Sequence, residues 1–403
     1  MPIALLALTI SAFAIGTTEF VIVGLLPTIA ADLGVNLPSA GLLISLYALG
    51  VAVGAPLLTA LTGKLPRKTL LLSLMVLFTL GNLLAWQAPG YTSLVVARIL
   101  TGLAHGVFFS IGSTIATSLV PKEKAASAIA IMFTGLTVAL VTGVPLGTFI
   151  GQHFGWRETF LAVAALGVAA FVGSLLYVPK NIAHTPPASL LQQVKVLGEP
   201  RLLLVYAMTA IGYGGSFTAF TFLAPLLQDV SGFTASAVGL VMLVYGVSVA
   251  VGNIWGGKLA DRRGPVGALK IIFLGLALVL LAVTFAAPHR WLMLVTVLVW
   301  GAFAFGNVAG LQVYVVQQAE HYTPRAVDVA SGLNIAAFNL GIAGGAWGGG
   351  LIVEHLGLVH TGWIGALVVV GAFGLTVLSG RLDARDPKPA VAGAEKRARV
   401  AAH

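Results

Sequence analysis

The sequence predicts an all-α integral membrane protein, with twelve transmembrane helices arranged in two pseudo-symmetric six-helix bundles. Three observations support this fold class: the composition of the chain, the spacing of its apolar segments and an internal repeat. The 403 residues are 58% hydrophobic and only 9% charged, and their mean hydropathy is +0.99. Because soluble domains carry about 25% charged residues, this composition excludes an ordinary water-soluble protein.

Twelve apolar segments of membrane-spanning length recur along the chain, separated by short stretches with Pro, Gly, Lys, Arg, Asp and Asn. They are predicted at approximately 3–25, 39–61, 69–88, 91–117, 127–151, 158–178, 202–227, 235–256, 267–287, 291–316, 329–352 and 360–380. The first segment is predicted to be a retained span. It is not a typical signal peptide, because no Lys or Arg precedes it and its apolar run is too long for a signal core.

The basic residues fall almost entirely on one side of the membrane when the loops are assigned alternately. Nineteen of the 22 Lys and Arg residues lie on that side, Arg157 and Arg290 lie on the other, and Arg98 lies within the membrane. The positive-inside rule therefore predicts that both termini are cytoplasmic. The formal charge of +9 reflects this topology and attraction to anionic membrane lipids, so nucleic acid is not an expected partner.

A tandem repeat divides the chain into two sets of six spans. A shift of 198 residues aligns Tyr47 with Tyr245 and 51–54 with 249–252, and a shift of about 202–204 aligns 152–155 with 354–357. Such repeats place a substrate site near the bilayer midplane, where the halves face each other. The predicted units are an N-terminal bundle at 1–178, a cytoplasmic linker at 179–200, a C-terminal bundle at 201–380 and a basic cytoplasmic tail at 381–403.

Glu19 is the acidic residue predicted to lie inside the membrane, with no other acid within ten residues on either side. A charge at bilayer depth costs about 2.5–3.5 kcal/mol on insertion scales, so an intramembrane acid indicates a functional site that faces protein or water. We therefore predict that Glu19 carries a proton; the alternative is a hydrogen bond to a neighbouring helix. The repeat places Phe217 at the corresponding position of the second half.

Arg98 is predicted to lie in the same membrane layer as Glu19. Glu19 lies eight residues before Pro27 and Arg98 lies eight residues after Gly90, so both are roughly 12 Å from the outer helix ends. A nearby cation favours the ionised carboxylate, whereas burial favours the neutral acid. Alternation between two such environments would let the acid bind and release a proton.

Two further residues share a helical face with Arg98. His105 and Phe109 follow it at i+7 and i+11, which predicts that all three line the same interior. His105 lies beside Gly102 and Gly106 in a helix suited to close packing. It is therefore either a hydrogen-bonded packing residue or a proton or substrate contact.

Aromatic and amide side chains at helical spacing on spans 7, 10 and 11 predict a substrate cavity. Such surfaces suit amphipathic organic molecules, although the same stripes also pack helices together. The predicted cavity residues are Tyr47, Phe109, Tyr213, Phe217, Phe220, Asn307, Tyr314, Asn334 and Phe338.

Enzyme motifs do not explain the chain. The segment 252–259 is similar to a phosphate-binding loop until Leu259, which stands where a hydroxyl residue must bind magnesium. The eight His residues are scattered without metal-ligand spacing. We therefore expect no enzyme activity, no cofactor and no metal, and an ion gradient as the energy source.

Three local motifs carry a family resemblance. The loop between spans 8 and 9 reads Gly257-Lys-Leu-Ala-Asp261-Arg262-Arg-Gly264, and the corresponding loop between spans 2 and 3 contains Gly63, Arg67 and Lys68 but lacks the acid. The fourth span contains Arg98-Ile-Leu-Thr-Gly102. The fifth span carries an ordered run of small residues and a proline, Gly135, Gly143, Pro145, Gly147 and Gly151.

With these motifs the chain resembles the major facilitator superfamily, in particular its twelve-span drug:proton antiporters and the bacterial arabinose-efflux-like and chloramphenicol-resistance-like exporters. The resemblance implies a proton-coupled exporter of drug-like molecules or sugars in a bacterial inner membrane, acting as a monomer with protons and a small molecule as ligands. It also implies a conformational latch at Asp261. The alternatives are a proton symporter that imports, an uncoupled facilitator, and a receptor or scaffold that does not transport.

Overall fold

The computed structural model describes residues 2–121, 124–182 and 190–385, and the described chain is helical apart from short turns. Eleven of its helices are long and apolar enough to cross a membrane. They are Ile3–Leu33, Leu37–Leu61, Arg67–Trp86, Tyr91–Ser118, Ser127–His153, Trp156–Tyr177, Pro200–Val230, Ala235–Ala286, Arg290–Tyr322, Val327–His355 and His360–Asp383.

The 52-residue helix Ala235–Ala286 contains two crossings, because its backbone breaks at Gly264 (φ 71°, ψ 161°) immediately before Pro265. Only glycine adopts this conformation without strain, and proline removes a helical hydrogen bond. The break separates 235–263 from 265–286, so the described residues contain twelve crossing segments, here called spans 1 to 12 in chain order. The predicted all-α fold with twelve spans is thereby confirmed.

Several spans are longer than their apolar segments. Span 1, predicted to end near residue 25, continues through Pro27 to Leu33 and ends at Gly34, whose φ is 61°. The predicted loop between spans 8 and 9 is helical on both sides of Gly264. The length of an apolar segment matches the thickness of the hydrocarbon core, whereas the backbone hydrogen bonds of a helix can continue past the core into the aqueous layer. The predicted boundaries were therefore too short at these ends.

Two faces of the bundle are used below as reference. The basic face is the end where Lys64, Lys68, Lys180 and Lys258 lie, and the other end is the opposite face. The predicted linker contains a short helix, Leu190–Leu197, at the basic face. Its Gln193 Nε2 donates to the Pro56 carbonyl of span 2 at 3.3 Å. Residues 183–189 of the linker and 386–403 of the predicted tail lie outside the described residues.

The two halves meet along spans 2 and 11 and along spans 5 and 8. Ser45 Oγ donates to the Ala343 carbonyl at 2.6 Å. A Cβ atom at Gly246 would lie 2.3 Å from the Leu140 carbonyl oxygen, so spans 5 and 8 touch backbone to backbone. Toward the opposite face, a Cβ at Gly41 would lie 2.7 Å from the Phe222 ring. These contacts join the halves from mid-depth to the opposite face.

Spans 2 and 5 each contain a wide π-helical turn at the seam between the halves. The turns are Gly54–Leu58, which includes Pro56, and Ala139–Gly143, which ends two residues before Pro145. Proline cannot donate a backbone hydrogen bond, and an inserted π turn accommodates the disturbance within a continuous helix. The second turn lies against span 1, where Gly143 contacts Thr17 two residues before Glu19.

Candidate functional site

Glu19 lies in the middle of span 1, and its side chain is buried with 7% exposure. Its Oε2 atom is 3.9 Å from His105 Nδ1 of span 4, which is an ion-pair distance but too long for a hydrogen bond. The same His105 nitrogen is hydrogen-bonded to the Tyr47 hydroxyl of span 2 at 2.9 Å. Three spans therefore bring an acid, an imidazole and a phenol together in one buried group.

Small residues allow spans 2 and 4 to approach closely at this level. A Cβ at Gly102 would lie 2.3 Å from the Tyr47 carbonyl oxygen, and one at Gly106 would lie 2.6 Å from that of Val51. His105 lies between these two glycines, so the close packing that positions its ring also places it beside Tyr47. Both alternatives for His105 from the sequence, packing and contact with the proton site, are compatible with this geometry.

Arg98 lies beside Glu19 but does not bind its carboxylate. The guanidinium donates to the carbonyl oxygens of Thr18 (2.8 Å), Leu43 (3.3 Å) and, at the limit of hydrogen bonding, Glu19 (3.5 Å). Its Cζ atom lies 4.0 Å from the centre of the Tyr47 ring. Five N–H donors in a planar fork allow one side chain to reach main-chain groups of two helices. Arg98 therefore cross-links spans 1, 2 and 4 beside the Glu19 carboxylate.

The polar group continues into span 3. Thr18 Oγ1 donates to Asn82 Oδ1 at 2.7 Å, and Asn82 Nδ2 donates to the Phe78 carbonyl at 2.8 Å. Thr18 and Asn82 are buried and were not predicted as site residues. Thr18 could have been predicted, because it is a polar residue directly before Glu19 in the sequence. Asn82 is identified only by its contact with Thr18 in the folded protein.

An aromatic cluster lies beside this polar group, with four rings from the second half and one, Phe20, from the first. It consists of Phe20, Tyr213, Phe217, Phe305 and Phe338. Phe20, the residue after Glu19, lies 6.4 Å from Phe217 and 6.2 Å from Phe305 between ring centres. Tyr213 stacks on Phe217 at 5.9 Å and meets Phe338 edge-on at 4.6 Å. Glu19 thus lies at the seam where the first half meets this cluster.

Phe20 and Phe305 are the members of the cluster that the sequence did not single out. Phe20 is adjacent to Glu19, which was the available signal. Phe220 belongs to a neighbouring group, where it stacks on Tyr245 at 4.6 Å and meets Trp300 edge-on. Tyr245 is the repeat partner of Tyr47. The internal repeat therefore pointed to Tyr245, although it was not among the predicted cavity residues.

The remaining predicted cavity residues are dispersed. Phe109 packs between His105 and Phe133, with 5.0 Å to each ring centre, inside the first half. Asn334 accepts from Thr209 at 2.7 Å and donates to Gln312 at 3.1 Å, which links spans 7, 10 and 11. Both residues are therefore separate from the aromatic cluster.

Asn307 is fully buried on span 10. Its Nδ2 donates to the Ala304 carbonyl at 3.0 Å, while its Oδ1 has no hydrogen-bond partner among the described residues.

Tyr314 lies at the basic face and not in the aromatic cluster. It is nine residues beyond Phe305 on span 10, about 13 Å along the helix. Its hydroxyl is 2.6 Å from Ser379 Oγ and donates to Asp383 Oδ2 at 2.7 Å. Arg201 and Gln318 also donate to Asp383, which ties spans 7, 10 and 12 together. A shared helical face with Asn307 therefore did not place Tyr314 beside the aromatic cluster.

The glycine run of span 5 packs against span 1 on both sides of Glu19. Cβ atoms at Gly135, Gly143, Gly147 and Gly151 would lie 2.2 to 2.6 Å from Thr9, Thr17, Val21 and Leu25 respectively. The sequence predicted a close helix contact here, and the structure identifies span 1 as the partner. Pro145 lies within this run, with its carbonyl oxygen 3.7 Å from a Cβ at Gly239 of span 8. The run therefore positions the acid and also borders the seam.

The two loop motifs differ in their contacts. Asp261 and Arg262 are exposed and make no hydrogen bond or ion pair with the described residues. A Cβ atom at Gly257 would lie 3.8 Å from the Ala309 Cβ, which is an ordinary van der Waals distance, so close helix packing does not require a glycine here. In the first half, Lys68 Nζ donates to the carbonyls of Leu175 (2.7 Å) and Val178 (2.6 Å) at the end of span 6, and the neighbouring Arg67 is buried.

Comparison with known proteins agrees with this architecture. The family model described as Major Facilitator Superfamily matches residues 8–322. An uncharacterized MFS-type transporter of Bacillus subtilis, YtbD, is 54% identical over 96% of this chain and 98% of its own length. The Escherichia coli inner membrane transport protein YdhP is 44% identical over 94% and 96%. A probable sugar efflux transporter of Pasteurella multocida is 34% identical over 91% and 89%.

Among solved structures, a bacterial homolog of the human lysosomal transporter Spinster, in an inward-facing and unoccupied conformation, superposes with a TM-score of 0.76. The comparison covers 96% of this chain and 98% of that chain, with 17% sequence identity. At that identity the likeness concerns the fold.

Proposed function

The chain belongs to the major facilitator superfamily, a family of membrane transporters, and from that premise we propose that it exports small organic compounds in exchange for protons. Glu19 is the proposed protonation site. The observation that carries the proposal is the position of this carboxylate, buried at mid-depth on the seam between His105 of the first half and the aromatic cluster. No enzymatic role is expected for a member of this family.

Proton coupling follows from the cost of burying a charge at this seam. When the halves close around Glu19, apolar surroundings favour the neutral, protonated acid; when water reaches it, the ionised form is favoured. A protein that opens alternately to the two sides thereby takes up a proton from one side and releases it to the other. Arg98, bound to the carbonyls, holds the three spans in place while the acid changes charge.

The proposed substrate site lies between Glu19 and the aromatic cluster. When the halves move apart, rings that meet across the seam separate and can cover a flat or amphipathic molecule. Export is the proposed direction, supported by the probable sugar efflux transporter among the relatives. The proposed setting is a bacterial inner membrane, with both termini cytoplasmic, the chain acting as a monomer and the proton gradient as the energy source. We propose no cofactor.

The rival functions differ in the fluxes that they produce in proteoliposomes. Substrate added on one side of an antiporter moves protons the opposite way, and in a symporter protons follow the substrate. A facilitator moves substrate without protons, and a receptor or scaffold moves neither. We expect counterflow of protons, measured with a pH-sensitive dye across a panel of substrates. Proton movement in the same direction as substrate would refute the antiport proposal.

Replacing Gly246 with Ala should shift the balance between the conformational states. The added Cβ would meet the Leu140 carbonyl at 2.3 Å and the Val141 Cα at 2.8 Å, so it disfavours the arrangement in which spans 5 and 8 touch. The matched control is Gly257→Ala, where the nearest atom is 3.8 Å away. The chain has no Cys, so spin labels at His153→Cys and Ser236→Cys report the distance between the spans at the opposite face. Unchanged distances in Gly246→Ala would show that this contact does not select the state.

Replacing Asp261 with Asn should favour the arrangement observed here. Asp261 is exposed and forms no hydrogen bond or ion pair with the described residues in this arrangement, so a latch that it forms would stabilise a different one. A shift of about 1–3 kcal/mol is expected, typical of coupling between two states. Spin labels at Lys64→Cys and Arg325→Cys measure the population at the basic face, and Gly63→Asp, which supplies the missing acid, should act in the opposite direction. Identical distributions in normally folded Asp261→Asn protein would contradict the latch.

A further inference from the structure

A shallow apolar groove lies on the outer surface of the first half, between spans 3 and 6. Its volume is about 140 Å³, and it is lined by Val76, Thr79, Leu80, Val168 and Phe171. Val76, Leu80 and Val168 are 43%, 58% and 50% exposed, so the groove opens away from the bundle. In a membrane protein this surface faces lipid chains.

A positively charged rim lies at the basic-face end of the same seam. Lys68 of span 3 donates two hydrogen bonds to the last carbonyls of span 6, which leaves one of its three N–H groups without a described partner. Lys180 is exposed and follows the capped Val178 by two residues, so its backbone lies within about 7 Å. Tyr177, which is 51% exposed, marks the level where aromatic residues meet lipid headgroups.

No acid is close to this rim along the sequence. The loop copy between spans 2 and 3 has Gly63 where the other half has Asp261, and no Asp or Glu occurs in 62–68 or 175–182. The C-terminal end of span 6 carries a partial negative charge that attracts a cation, and Lys68 already occupies that place.

The depth of the groove matches a lipid chain. Val76 and Leu80 lie eight and twelve residues beyond Lys68 on span 3, about 12 and 18 Å deeper. One leaflet of the hydrocarbon core is about 15 Å thick. A lipid whose headgroup contacts Lys68 and Lys180 would therefore place the middle and end of an acyl chain in the groove.

We propose that the seam between spans 3 and 6 is a binding site for an anionic phospholipid of the leaflet at the basic face. Its phosphate accepts hydrogen bonds from Lys68 and Lys180, and one acyl chain occupies the groove. This site is separate from Glu19 and does not depend on the proposed transport function. A bound lipid here would reinforce the packing of the two peripheral spans of the first half.

The test is native mass spectrometry of the full chain, released from nanodiscs of dioleoylphosphatidylglycerol or dioleoylphosphatidylcholine. We expect retained phosphatidylglycerol and little phosphatidylcholine. Lys180→Gln should reduce retained phosphatidylglycerol about fivefold, since each basic residue near a membrane surface contributes about 1 kcal/mol. Val76→Trp, which fills the groove while leaving the rim intact, should reduce it as well.

Two matched controls use the pseudo-symmetric half. Lys258→Gln removes the same charge from the basic face, and Leu274→Trp adds the same ring on span 9 at the position that corresponds to Val76 under the 198-residue shift. Both should retain phosphatidylglycerol like the wild type. Equal losses in test and control variants would indicate nonspecific lipid and overturn the proposal. So would a loss in Lys180→Gln without one in Val76→Trp, because surface charge alone would then explain the binding.

Discussion

Replacing Glu19 with Gln is expected to abolish proton-driven export while leaving the substrate able to bind. The amide keeps the size and hydrogen bonding of the acid but cannot ionise, so the two conformations no longer exchange a proton. Changing one hydrogen bond is worth about 1 kcal/mol, so the substrate dissociation constant should change by less than about tenfold. Uptake into inverted vesicles, with and without an imposed pH gradient, measures the loss of coupling.

The same variant makes a prediction about pH. If proton and substrate exclude each other at Glu19, linkage requires that wild-type affinity rises with pH as protons compete less, whereas affinity in Glu19→Gln stays flat. The matched control is Glu320→Gln, the same change at an exposed acid on span 10. Wild-type transport against a gradient by the Glu19→Gln protein would show that coupling resides elsewhere.

Replacing Arg98 with Ala should destabilise the first half by at least about 3 kcal/mol. The guanidinium is 1% exposed and is bound to main-chain oxygens of spans 1 and 2. Its removal deletes hydrogen bonds from a charged donor, worth about 1.5–3 kcal/mol each, and removes the cation from the Tyr47 ring. Arg98→Lys should be intermediate, because one ammonium cannot reach both helices with the geometry of a planar fork.

Thermal unfolding in detergent measures this effect. The control is Arg157→Ala at the opposite face. This side chain pairs with Asp32 and donates to the Ala88 carbonyl, but it is 33% exposed and water can replace these contacts, so its loss should cost about 1 kcal/mol. Equal losses in Arg98→Ala and Arg157→Ala would contradict a buried cross-link. In folded protein, an unchanged pH midpoint of substrate binding would also show that Glu19 does not sense the guanidinium charge.

The local properties of the chain predicted most of the fold. The number of spans follows from the number of apolar segments that are long enough to cross the bilayer. A single Glu within such a segment is predicted to be functional, because burying a charge is costly whichever helix it packs against. Glycine spacing likewise predicted a close approach by span 5. It could not name the partner, because a stripe of small residues fits any helix of suitable shape.

The sequence prediction failed where position along a helix did not determine position in the bundle. Tyr314 shares a face with Asn307, yet it lies two to three turns nearer the basic face and binds Asp383. Residues 381–383 were assigned to the tail, although they complete the last helix and bring that carboxylate to Arg201. Periodicity reports the direction of a side chain and contains no information about which helix faces it at that depth.

The sequence alone determined that the chain spans a membrane twelve times, that its halves repeat, and that Glu19 and Arg98 are its buried charges at mid-depth. Tertiary structure decided what these charges contact: carbonyl oxygens for Arg98, His105 for Glu19, and across the seam the rings around Phe20. The physical reason is that hydropathy is a property of each segment. The partners of a buried polar group include backbone atoms, which every residue has, and they become specific only when the helices pack.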